Sequence, residues 1–251
     1  MYRYFIHMAY DGTGYSGWQT QPGGNTVQQA VEHALTTLLG EDISVTGAGR
    51  TDTGVHASFF VAHFDTPNLL EDRKEDLVFR LNRFLPDDIV IYRLQQVPGE
   101  MHARFSATYR TYHYHISTIK PLYTRNYAHY VYGSLNVEEI GRCCEIIMNT
   151  DDFTSFSKLH TDVKTNRCQV MAASWKEVDS GYLFEIKADR FLRNMVRSVV
   201  GTLLDVGFGK ISSEQFRQIV EAKDRSRAGM SAPAKGLFLV DIGYGVMPDR
   251  A

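Results

Sequence analysis

Cysteine is scarce in this sequence. Three occur in 251 residues, Cys143, Cys144 and Cys168, and none belongs to a C-x-x-C pair. The odd number and the spacing exclude a disulfide framework and speak against a structural zinc site. A reducing cytoplasm is the expected compartment. Long apolar runs are also missing. None approaches the roughly 20 residues of a membrane-spanning helix, so no membrane association is expected. The opening MYRYFIHMAYDG alternates polar and apolar residues and reads as a strand rather than a secretory leader. Low-complexity segments and sequence repeats are absent, and hydrophobic residues make up 43% of the chain, as in a globular protein.

A further absence is local. Between Met101 and Val137 there is no aspartate or glutamate, whereas Arg104, Arg110, Lys120 and Arg125 stand there with four histidines and seven tyrosines. The formal net charge is only −2. A near-neutral total can hide a basic face, and the face is what a polyanion meets.

The periodicities predict an α+β chain. Strands are expected at Tyr4–Tyr10, Ile43–Thr46, Ser58–Phe64, Ile89–Val97, Thr108–Thr118, Gln169–Val178, Tyr182–Ala188 and Leu237–Ile242. Helices are expected at Val27–Leu39, Arg73–Phe84, Asn136–Met148, Phe191–Val206 and Ser212–Ala222. Thr26-Val27-Gln28-Gln29 and Asn136-Val137-Glu138-Glu139 both read as capping boxes. Pro98-Gly99 suggests a boundary between an N-terminal half, 1–98, and a C-terminal half, 99–251.

Four positions stand out chemically. Asp52 lies in GAGRTDTGVHA, where Gly47, Gly49 and Gly54 let the backbone adopt unusual conformations and let a ligand approach closely. Arg50 shares a face with Asp52 if the segment is extended. The plain alternative is a polar loop between two strands. Asp52-Thr53-Gly54 and Asp179-Ser180-Gly181 mimic an aspartic protease pair, but Arg50 beside the first favours full ionisation and the second suits a hairpin turn. On a strand, Arg110, Tyr112, Tyr114 and Ile116 share one face and Tyr109, Thr111, His113 and His115 the other. Such aromatics among cations suit unstacked bases and phosphates, or else line a half-buried sheet. His113 and His115 lack a nearby third ligand in the sequence. Arg190, Arg193 and Arg197 follow helical spacing, and Arg197 borders the apolar side, where a guanidinium needs an anionic partner.

YDGTGYSGWQ, GAGRTDTGVHA, HARFSATYRTYHY, DFTSFS, FLRNMVRSVVG and AGMSAPAKGLFLVDIGY occur in this order and cover nearly the whole chain. Together they resemble the tRNA pseudouridine synthase A family. The resemblance implies a pseudouridine synthase fold, two related halves with mostly antiparallel sheets flanked by helices around a central basic cleft. It implies a homodimer acting on tRNA, with uridine isomerised to pseudouridine in the anticodon stem-loop at positions 38, 39 and 40, and no metal or organic cofactor. Asp52 matches the catalytic aspartate and Arg50 the arginine that fills space near the flipped nucleotide. Tyr112 matches the tyrosine packed on the uracil, and Arg197 the arginine paired with the carboxylate. Thr53 and Arg193 depart from the alanine and tyrosine common there. A non-catalytic RNA-binding protein and a metal-dependent RNA-processing enzyme are the alternatives; a carboxylate facing phosphates favours catalysis over binding alone.

Overall fold

The first strand, β1 (Tyr2–Tyr10), is buried without interruption from Tyr4 to Tyr10. It sits between two antiparallel neighbours, so neither of its edges is open. The computed structural model describes residues 1–158 and 165–245. They form two compact units. One comprises Met1–Thr108 with the stretch from Leu239; the other is Tyr109–Phe238. Both mix helices with mostly antiparallel strands, the expected α+β class.

In the first unit, α1 (Val27–Leu39) buries Val27, Val31, Ala34 and Leu35 on one face. The Thr26 side chain caps it by accepting from Gln29 N, and Gly40 ends it at φ 73°. The capping box is only half made, because the Gln29 amide oxygen accepts from the Thr26 hydroxyl at 2.9 Å. After α1, only Thr46–Gly47 forms a strand, β2. The expected strand at Ile43–Val45 is pre-empted by α1 side chains. Thr36 Oγ1 accepts from Ile43 N, Glu32 Oε1 accepts from Val45 N, and Gln28 Nε2 donates to Val45 O. With these groups satisfied, the backbone needs no ladder. Then follow β3 (His56–Thr66), α2 (Lys74–Phe84) and β4 (Ile89–Val97). β1 pairs antiparallel with β3 and β4, and β2 with β3.

In the second unit, β5 (Tyr109–Ser117) pairs in parallel with the short β6 (His129–Tyr130), which the sequence did not suggest. α3 (Val137–Met148) follows, capped by Asn136 through Glu139 N. Its expected capping box is open because Glu139 instead accepts from Ser213 N and pairs with Arg142. β7 (Val170–Val178) and β8 (Gly181–Ala188) form the expected hairpin, with β8 between β7 and β5. Asp179-Ser180-Gly181 is therefore a hairpin turn.

The next helix, α4, spans Met195–Gly207 rather than starting at Phe191. Asn194 blocks the extension. Its backbone is left-handed, φ 64°, and its Nδ2 donates to Ser231 Oγ at 2.6 Å. Arg190 and Arg193 thus precede the helix, and the expected basic stripe is not a helical one. α5 (Ser213–Ala222) starts from a complete capping box between Ser212 and Gln215. The three cysteines are buried, and burial pushes their thiols up to about 12. They are packing residues, not nucleophiles.

The last strand, β9 (Leu237–Gly243), carries the chain back into the first unit. There Gly243 O accepts from Thr108 N, Tyr244 packs edge-on against Phe5, and its hydroxyl donates to Ala103 O at 2.6 Å.

Candidate active site

Asp52 stands in the turn between β2 and β3. Val55 N donates to Asp52 O at 3.1 Å, with Gly54 third in the turn at φ 76°. Only glycine adopts that conformation without strain. Burial alternates just before it: Arg50 is exposed, Thr51 buried, Asp52 partly exposed. The segment therefore sends Arg50 and Asp52 one way and Thr51 the other. Thr53, second in the turn, is exposed.

A second segment, YDGTGYSGWQ, cradles this turn. Tyr10 hydroxyl and Thr51 Oγ1 lie 2.8 Å apart, Trp18 N donates to Thr51 O, and Gly54 N donates to Tyr15 O. A Cβ on Gly17 would strike Thr51 O, and one on Gly12 would strike the Val55 carbonyl. These two glycines are needed because another backbone passes where a side chain would be. Behind the turn, Trp18 packs against Phe60 with the rings tilted by 34° and their centres 4.2 Å apart, and its indole lies where a Gly47 side chain would stand. His56 Nδ1 accepts from Gly12 N at 3.1 Å and lies 3.0 Å from the Asp11 carboxylate. Tyr15 donates to Asp88 at 2.6 Å; burial and this carboxylate raise its phenol well above the usual range. Arg50 Nε donates to Gln19 Oε1 at 3.1 Å.

The HARF segment, also in the first unit, is fixed by two imidazoles. His63 Nδ1 accepts from Ala103 N at 3.2 Å, and His102 Nδ1 accepts from Arg104 N at 3.1 Å. Both roles require an unprotonated Nδ1. Burial and the Arg3 charge lower His63 to about 4 and lower His102 as well. Arg3 bridges Asp65 and Met101 O.

The second unit holds the other two residues. Tyr112 lies opposite Ile186 on β8, half-buried, with its ring edge-on to Phe191 at 5.0 Å. Two residues on, Tyr114 is fully buried and donates to Pro233 O at 2.8 Å. Burial raises its phenol, and the Arg197 charge opposes the rise. Arg197, in the first turn of α4, donates through Nε to Ala232 O at 2.8 Å; Ala232 N returns the bond to Arg197 O. The guanidinium direction is thus set by the loop at Met230–Pro233. That loop lies close because Gly201 leaves room for Met230 O against the helix. His113 has a carboxylate neighbour that the sequence did not reveal, Glu185 at 2.9 Å, and Lys176 neutralises it from 3.6 Å. Among the described residues no group of three His, Cys, Asp or Glu side chains could hold a metal ion.

Arg50 and Asp52 are therefore neighbours in the first unit, and Tyr112 and Arg197 stand in the second. Sequence reasoning missed Tyr10, Thr51, His63 and His102. The only trace of the cradle was the spacing of glycines in YDGTGYSGW.

The family model of tRNA pseudouridine synthase matches residues 6–106 and 150–245. The tRNA pseudouridine synthase A of Bacteroides thetaiotaomicron is 52% identical over 97% of this chain and 91% of its own length. That of Porphyromonas gingivalis is 50% identical over 97% and 98%, respectively. That of Bacillus subtilis is 40% identical over 94% and 97%.

Proposed function

The chain belongs to the tRNA pseudouridine synthase family, and on that premise we propose that Asp52 is the carboxylate through which it isomerises uridine in the anticodon stem-loop of tRNA. The observation that carries this reading is the pinning of Asp52. Its backbone is held by Val55 and by the Gly12–Trp18 segment, while its side chain stays partly exposed. A rigid backbone under an accessible carboxylate is what a reacting group requires.

The reaction breaks the N1–C1′ bond, turns the uracil and joins C5 to C1′; N1 ends with the proton that C5 loses. No oxidant or group donor is needed. A stacked base cannot turn, so the nucleotide must leave the stack at a cost of a few kcal/mol. Arg50, exposed beside the turn, offsets that cost by occupying the vacated space and meeting phosphate. Asp52 acts as nucleophile at C1′ or C6, or as base toward the C2′ proton. Each role needs a carboxylate. Tyr112 limits escape of the detached uracil by stacking. Arg197 is the countercharge that keeps the carboxylate ionised. By the same resemblance the enzyme works as a cytoplasmic homodimer.

Asp52→Asn tests the reading. It keeps the shape of the turn, so tRNA affinity stays near that of the parent, and pseudouridine formation in single-turnover assays vanishes. Substantial residual activity would remove Asp52 from the chemistry.

A further inference from the structure

A cavity of about 100 Å³ opens in the first unit beside the Asp52 turn. Trp18, Gln19, Gly47, Gly49, Arg50 and Arg104 line it. Its lining holds two guanidinium groups and no carboxylate. Glu32, which reaches Gln28 on the same wall, is already engaged by the Gln28 amide at 3.0 Å and by Val45 N at 2.9 Å. Two guanidinium groups beside one small space suit an anion of phosphate size. A Cβ at Gly49 would meet nothing within 4 Å, so this side of the cavity is open to an incoming group.

The backbone beneath Arg104 is unusually well fixed. His102 N donates to Ser106 Oγ and Ser106 N returns a bond to His102 O, both at 2.9 Å. The imidazoles of His63 and His102 take the N–H groups of Ala103 and Arg104. Arg3 holds Met101 O at 3.0 Å. Phe105 stands exposed, with the Arg104 guanidinium 5.6 Å from its ring centre. Arg104 itself is exposed above this fixed backbone. The scaffold serves to aim it.

We propose that Arg104 and Arg50 together grip one phosphodiester of the RNA chain in this cavity, next to the nucleotide presented to Asp52. The guanidinium fork matches the geometry of phosphate oxygens, and Gln19, which accepts from Arg50 Nε, orients the second fork. Gripping the strand beside the target fixes the register of the uridine over the turn. This inference rests on the reading of the protein as a tRNA-acting enzyme and adds a binding residue to it.

The test uses the full-length protein and an unmodified anticodon stem-loop RNA. Arg104→Ala weakens binding roughly tenfold and lowers the slope of log affinity against log salt by roughly 0.7. Arg104→Lys restores the slope, because the charge returns, but not the full affinity. A purely structural role for Arg104 would leave the slope unchanged. A scan of single neutral methylphosphonate linkages locates the phosphate. One linkage near the target uridine costs the parent enzyme about as much as Arg104→Ala does, and it costs the Arg104→Ala enzyme nothing more. Additive losses at every linkage, or an unchanged salt slope in Arg104→Ala, would overturn the proposal. Asp52→Asn run in parallel separates the two readings: loss of pseudouridine there with no effect of Arg104→Ala sinks only the phosphate site. Residual activity in Asp52→Asn sinks the catalytic reading and leaves the phosphate result to be judged by binding alone.

Discussion

The phenolic oxygen of Tyr10 lies 2.8 Å from Oγ1 of Thr51, the residue immediately before Asp52. Tyr10 ends β1 and is 4% exposed, so the Asp52 turn is tied directly to the central strand of its unit. Removing the phenol in Tyr10→Phe leaves a buried threonine hydroxyl without this partner. The expected cost is about 1–2 kcal/mol in urea unfolding. Pseudouridine formation slows in single-turnover assays while tRNA affinity holds. An unchanged rate would show that the turn keeps its position without the tie.

Gly12→Ala should be worse for stability than its size suggests. The new methyl group meets the carbonyl of Val55, a backbone atom that cannot rotate away. Thermal or urea melts should show a loss of about 3 kcal/mol. Gly99→Ala meets nothing within 4 Å and serves as the control, within about 0.5 kcal/mol of the parent.

Arg197→Met removes the proposed countercharge and the bond to Ala232 O. The expected outcome is a fall in pseudouridine formation in single-turnover assays that exceeds the fall in tRNA affinity. Arg197→Lys returns the charge without the fork and restores part of the rate. An unchanged rate in Arg197→Met would remove this arginine from the chemistry.

His63 gives the fold a dependence on acid. Its folded value is lowered to about 4, below the ordinary 6.5. Between those values the unfolded chain binds the extra proton, so stability rises with pH there by up to about 1.4 kcal/mol per pH unit. The contribution is complete above pH 6.5 and is lost as pH falls toward 4. His63→Asn keeps an acceptor for Ala103 N and should flatten the slope over this window in melts. An identical slope in the variant would assign it to other groups.

Much of the fold is legible in local pattern. α1 announces itself through Thr26, a periodic apolar face and Gly40, and β4 coincides with its expected span because Asn82 and Pro86-Asp87-Asp88 fence it. What fails locally is decided at long range. Ile43–Val45 has the composition of a strand, but α1 side chains take its backbone groups. Phe191–Asn194 has the periodicity of a helix, but Ser231 holds Asn194 in a left-handed turn. The site divides in the same way. Asp52, Arg50, Tyr112 and Arg197 are conspicuous in sequence by type and by resemblance. The Gly12 contact with Val55 and the His63 imidazole under HARF join residues 40 or more positions apart, and Gly17 meets Thr51 from 34 positions away; no local spacing reports these.

The return of β9 also bears on how the protein is made. Ala103 is bonded to Tyr244, 141 residues further along the chain, so a ribosome releases the loop bearing Asp52 long before the strand that completes its unit. The first unit therefore closes only once the chain beyond the second unit has been made. A chain that stops before β9 lacks the strand and the Tyr244 contact that complete this unit.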